Sequence, residues 1–184
     1  MRAPTLGFKD FGEILTGEIF SVTGGLIAGV MLAFATDQIA LVPGLFILLP
    51  GFLEMRGNIS GTLSARLGAG LWTGALKPRV RRNRILRGNV AADITLALAV
   101  SFALGIVAWL ASYVLFGINN AALIYIALIA GVISNIIEIP ATVLVTFWLF
   151  KHGRDPNNIM GPYVTTIGDV ISVVSLLAAI ILVV

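Results

Sequence analysis

The stretch Gly161-Pro162-Tyr163-Val164-Thr165-Thr166-Ile167-Gly168-Asp169-Val170-Ile171-Ser172, followed by a mostly apolar run to Val184, decides how this chain folds. A bilayer core about 30 Å thick is crossed by about 20 apolar residues in a helix, and this segment has the length. It nevertheless carries Asp169. A carboxylate at that depth costs about 2.5–3.5 kcal/mol on insertion scales. Membrane proteins keep such a group where it meets a cation, a proton or a buried partner, so Asp169 is the leading candidate functional residue.

The rest of the chain has the same character. Of 184 residues, 58% are hydrophobic and only 11% charged, and the mean hydropathy is +1.01. Soluble domains are about 45–50% apolar and about 25% charged. Several further apolar runs exceed the spanning length, so the expected fold is all-α: a polytopic membrane protein of five transmembrane helices. The expectation is one membrane domain over residues 1–184, with no room for a sizeable soluble one. The absence of cysteine excludes disulfides, thiolate metal sites and cysteine nucleophiles, and the single His152 excludes a multi-histidine site within one chain. The net charge of +3 sits in short loops, which points to membrane topology rather than to nucleic acid.

Working back from Asp169, the pattern predicts an amphipathic surface arm over residues 1–17 and a first span over about 19–36. A second span from about Ile39 is interrupted by Pro43-Gly44 and Pro50-Gly51 and stays helical to about Trp72. Such a helix is about 50 Å long, so it either projects from the membrane or breaks at Pro50-Gly51. Its polar second half must face protein or water, because lipid cannot solvate it. Spans three, four and five are expected near 94–116, 121–150 and 159–184. The basic residues lie in alternate segments: Arg2 and Lys9, then six Lys or Arg between 77 and 87, then Lys151 and Arg154. The positive-inside rule then puts the N-terminus in the cytoplasm and the C-terminus outside, in a multi-pass cell-membrane protein.

Two helical faces carry the candidate chemistry. On the fifth span, steps of three and four residues align Pro162, Thr165, Thr166, Asp169 and Ser172; on the second they align Glu54, Asn58, Gly61, Thr62 and Ala65. Counting from the helix ends brings Glu54 and Asp169 to about the same depth, in the cytoplasmic half. Oxygen ligands without His or Cys suit a hard cation such as Mg²⁺ or Ca²⁺. The competing reading of Asp169 and Glu54 is a structural ion pair with an arginine, Arg56 or Arg66 in the case of Glu54. Gly57, Gly61, Ala65 and Ala69 also recur every four residues, which favours close helix approach. Glu138, beside Pro140 on the fourth span, suits either ion or proton coupling or an arginine partner. Asp93 reads as an acid at the start of the third span, and Asp155-Pro156 as a helix cap. The arginine-rich loop is chiefly a topology signal, with contact to anionic membrane lipids as a second role.

The segments Pro50-Gly51-Phe52-Leu53-Glu54-Met55-Arg56-Gly57-Asn58-Ile59-Ser60-Gly61 and Asp155-Pro156 through Gly168-Asp169 resemble the membrane domain of the MgtE-type magnesium transporter family. Glu54 and Arg56 are closer to the motif of its eukaryotic solute-carrier relatives. The resemblance implies one half of a two-fold transporter. In it a homodimer lines a divalent-cation path with spans 2 and 5, Asp169 binds the ion (Mg²⁺ as transported substrate), and Asn58, Thr165 and Thr166 lie along the path. The bacterial members carry a cytoplasmic sensor with CBS domains that this sequence does not contain, so gating by such a sensor is not expected. No enzymatic activity is expected. The alternatives are an assembly subunit whose acids only form ion pairs, and an intramembrane aspartyl protease pairing Asp169 with Asp93, which needs two carboxylates about 3 Å apart sharing a proton.

Overall fold

The computed structural model describes residues 7–80 and 83–184; Arg2, Arg81 and Arg82 of the basic segments lie outside them. Among the described residues all regular structure is helical, in six elements: α1 (Phe8–Phe34), α2 (Thr36–Ala40), α3 (Leu45–Trp72), α4 (Arg84–Phe116), α5 (Ala122–Lys151) and α6 (Pro156–Val183). Four of these, α1, α4, α5 and α6, are long and apolar enough to cross a membrane. α3 has 28 residues but carries Glu54, Arg56 and Arg66.

Local chemistry explains the boundaries. The Asn83 side chain accepts hydrogen bonds from the backbone N–H groups of Ile85 and Leu86, at 3.1 and 3.2 Å, which starts α4. Asp155 caps α6 by accepting from the Asn157 N–H at 2.9 Å, and Pro156 takes the first helical position, where no N–H is needed. α4 ends at Gly117, whose φ of 68° is one that glycine adopts without strain.

Three boundaries differ from the sequence expectation. The described part of the expected surface arm is no separate element: residues 8–17 run into the first apolar helix, since no proline or turn interrupts them. The second span does not begin at Ile39. The short α2 and a turn at Gly44 intervene, after which α3 runs unbroken through Pro50. α4 starts ten residues before Ile94, so Asp93 lies inside a helix rather than at its N-terminus.

α6 is central, packed on α1, α3 and α5, while α4 closes the far side against α3 and α5; among the described helices α1 touches only α2 and α6. Small residues let the helices approach. A Cβ on Gly105 of α4 would lie 2.8 Å from the Ile124 Cα of α5, and one on Gly24 of α1 would overlap the Thr166 methyl of α6. Apolar layers occupy both ends of the bundle. One includes Leu45, Leu48, Phe52, Leu123, Ile126 and Leu176; the other includes Leu63, Leu67, Leu71, Ile139, Val143 and Phe147. Between them lies a buried polar layer with Arg56, Ser60, Asp93, Asn135 and Glu138.

The glycine contacts make opposite demands at two places on one helix. Gly105→Ala should lower the midpoint of thermal unfolding in detergent, because its methyl meets backbone of α5 and overpacking costs about 1–3 kcal/mol. Gly88→Ala, with nothing within 4 Å of the added carbon, should leave the midpoint unchanged or raise it, by up to about 1 kcal/mol of helix propensity. Equal stability of the two variants would contradict the close α4–α5 approach.

Candidate cation site between α3 and α6

Side chains four apart on a helix share a face. On α3 this aligns Glu54 with Asn58, and on α6 Gly161 with Thr165 and Asp169. The two faces meet across a cleft of about 450 Å³, which Glu54, Gly57, Asn58, Gly61, Thr165 and Asp169 line together. Gly57 leaves the cleft open beside Thr165: a Cβ there would sit in ordinary contact, 3.7 Å from the Thr165 hydroxyl. Asn58 donates from Nδ2 to Glu54 Oε1 at 3.0 Å, which orients the carboxylate along the cleft wall. Thr165 donates to the Gly161 carbonyl at 3.0 Å, leaving its oxygen lone pairs for the cleft. Among the described residues Asp169 has neither a hydrogen bond nor an ion pair, and no Lys, Arg or His lines the cleft. Two carboxylates, an amide and a hydroxyl therefore face one open space. Among the described residues no three acidic or histidine side chains form a metal cluster within one chain.

Other candidate residues lie elsewhere. Thr166, one position from Thr165, is turned about 100° away; it is buried against Gly24 of α1 and donates to the Pro162 carbonyl at 2.8 Å. Thr62 donates to the Ile59 carbonyl at 2.8 Å and does not line the cleft, and Ser172 is fully buried with no partner for its hydroxyl among the described residues. The structure pairs Glu138 with an arginine. Its Oε2 accepts from Arg56, and from the Ser60 hydroxyl at 3.2 Å, while Arg56 Nη1 donates to Asn135 Oδ1 at 2.7 Å. Glu138 Oε1 has no hydrogen-bond partner among the described residues and points at Gly168, where a Cβ would lie 2.9 Å from it. The arginine that Glu138 takes is therefore not available to Glu54.

Sequence reasoning offered Glu138 an arginine partner but did not identify Arg56, Ser60 or Asn135 as the groups around it. Their signal was present: Arg56, Ser60 and Ser64 recur every four residues on the side of α3 opposite Glu54, and Asn135 and Glu138 stand three apart. Asp93 is wholly buried, with Arg66 Nη2 3.9 Å from Oδ1 and no hydrogen bond to either oxygen among the described residues. It shares no proton with Asp169 and lines no part of the cleft, so the paired-carboxylate arrangement of an aspartyl protease is not formed.

The profile of the MgtE family, described as divalent cation transporter, matches residues 49–179. The chain belongs to this family. All the cleft residues of the MgtE domain fall inside the match, and α1 falls outside it. The chain is also similar to solute carrier family 41 member 2 of Xenopus laevis, at 25% identity over 166 residues covering 87% of this chain and 30% of the relative. The proteins of that name from Gallus gallus and Homo sapiens are 24% identical, with 87% of this chain and 29% of each relative covered. The chain thus spans less than a third of the length of these curated relatives. No solved structure matches it significantly. The MgtE family is one of transporters, in agreement with the expectation that the chain is not an enzyme.

The Arg56–Glu138 pair generates a double-variant test. Arg56→Met alone leaves a buried carboxylate without its cation, and removing one partner of a buried pair costs about 3–5 kcal/mol. Arg56→Met with Glu138→Leu should recover most of that loss in thermal unfolding. Additive losses would mean that the pair is not coupled.

Proposed function

We propose that this chain forms a homodimer that transports divalent cations, Mg²⁺ foremost, along a path between α3 and α6 of the two protomers. The observation that carries the reading is the open, acidic, uncompensated cleft at Glu54 and Asp169 in a protein otherwise built for lipid. Lipid hydrocarbon solvates neither carboxylates nor the Asn58 amide. A second copy across a two-fold axis encloses the cleft and doubles its carboxylates. Mg²⁺ gives up its water reluctantly and is held by one or two carboxylates together with retained waters. In this reading Asp169 supplies charge to the ion, Glu54 adds to the negative field, and Asn58 and Thr165 hydrogen-bond the water shell. Gly57 and Gly61 keep the path wide. Thr166 and Ser172 act through helix packing, and Thr62 lies outside the path. Glu138 stands behind the path and fixes Arg56.

The reading takes α3 as a fifth span, whose polar face the partner covers. It also puts the N-terminus inside and the C-terminus outside. Lys77, Arg79, Arg84 and Arg87 surround the α3–α4 connection and Lys151 and Arg154 the α5–α6 connection, whereas the α4–α5 connection has no charge and the one before α3 has only Asp37. These basic connections are assigned to the cytoplasm.

Asp169→Asn keeps the shape and removes the charge. Mg²⁺ flux into proteoliposomes should fall at least about tenfold, the loss expected when about 1.4 kcal/mol of ion binding is removed. The rise in melting temperature on adding Mg²⁺ should disappear as well. Thr165→Val should reduce flux less, because it removes a contact to water rather than a charge. Wild-type flux and metal stabilisation in Asp169→Asn would overturn the site.

Assembly and orientation are tested separately. The native sequence has no cysteine, so Asn58→Cys introduces a single thiol, and oxidation in membranes should give a covalent dimer. A C-terminal reporter active only outside the cytoplasm should be active. A transporting monomer, or a reporter active only inside, would remove the corresponding part of the reading.

A further inference from the structure

A second cleft, of about 490 Å³, lies between the segment after α3 and the last two turns of α5. Arg79 and Lys151 stand at it, and its walls include Val80, Leu144, Phe147 and Trp148. The two cations are unlike several others in the molecule. Arg56 meets Glu138, Arg66 meets Asp93 and Arg154 meets Glu13, but Arg79 and Lys151 meet no acid among the described residues, and no acid lines the cleft. Three of the apolar wall residues are left uncovered, Val80 and Trp148 at 56% exposure each and Leu144 at 58%, over a buried Phe147.

The arrangement is graded along α5. Leu144 and Trp148 share a helix face, with Lys151 one turn beyond. Seven residues separate Leu144 from Lys151, a rise of about 10 Å, enough to reach from a headgroup plane into the acyl chains. Tryptophan is enriched at that boundary and lysine at its aqueous edge. Positive charge above an apolar wall complements an anionic headgroup above an acyl chain.

We propose that this cleft binds one anionic phospholipid, its phosphate between Arg79 and Lys151 and one acyl chain along Val80, Leu144 and Trp148. A free phosphate satisfies the cations but leaves the apolar wall bare, and a zwitterionic lipid covers the wall but carries a compensating cation of its own. The site is separate from the α3–α6 cleft, with which it shares no lining residue.

Native mass spectrometry of the purified protein with phosphatidylglycerol or phosphatidylcholine tests this. Phosphatidylglycerol adducts should outlast phosphatidylcholine adducts. Arg79→Gln with Lys151→Gln should reduce that preference by about 25-fold, at about fivefold for each cation near a charged lipid surface. Arg87→Gln, which removes a cation outside the cleft, should retain it. Millimolar glycerol phosphate should not displace the bound lipid. If the double variant does not fold, Arg79→Gln alone, in a connection without regular structure, should still show the fivefold loss. Three results would overturn the proposal: an unchanged preference in the cleft variants, an equal loss in Arg87→Gln, or displacement by glycerol phosphate.

Discussion

The guanidinium of Arg56, held by Glu138 and Asn135 inside the bundle, fixes which way α3 faces. A charge at this depth is tolerated only when paired and hydrogen-bonded, so α3 must turn Arg56 toward α5. Glu54 precedes it by two residues, about 200° around the helix, and is thereby turned outward. Asn58 and Gly61 follow Glu54 on the same face. The buried ion pair therefore decides which residues of α3 are available to the cleft.

α6 answers with two adjacent residues of opposite kind. Gly168 lies against the Glu138 carboxylate, where a side chain has no room. Asp169, about 100° further around, enters the cleft with no partner among the described residues. The helix that carries the candidate ion ligand thus packs directly on the network that orients α3. Thr165 and Thr166 divide in the same way, the first facing the cleft and the second packing on Gly24 of α1. The buried network and the open cleft are the two sides of one α3–α6 contact.

Much of this was legible beforehand. Apolar run lengths and the low charged fraction identify a helical membrane protein without tertiary information, because hydrocarbon admits few alternatives. Helical period placed Glu54 with Asn58, and Thr165 with Asp169, because residues four apart share a face wherever the helix packs. The cap at Asp155-Pro156 was readable for a similar reason, being a local hydrogen bond. Periodicity was less sharp at stripe edges. Thr166 and Ser172 fit the Asp169 stripe within one residue's rotation, yet both are buried away from the cleft. Asp93 was misplaced because an apolar run marks where hydrophobicity begins, whereas α4 begins ten residues earlier at the Asn83 cap.

What the sequence determined by itself was the fold class, the approximate helices and the two acidic faces, since each follows from spacing along a single helix and from the demands of lipid. The tertiary structure decided the partners. Arg56 and Glu138 are 82 residues apart in the chain, and nothing in either helix alone says that they meet, or that Asp93 is sealed beside Arg66 while Asp169 stays open. Pairing across helices depends on which small residues permit close approach and on how each helix is rotated. Those quantities exist only once all the helices are packed.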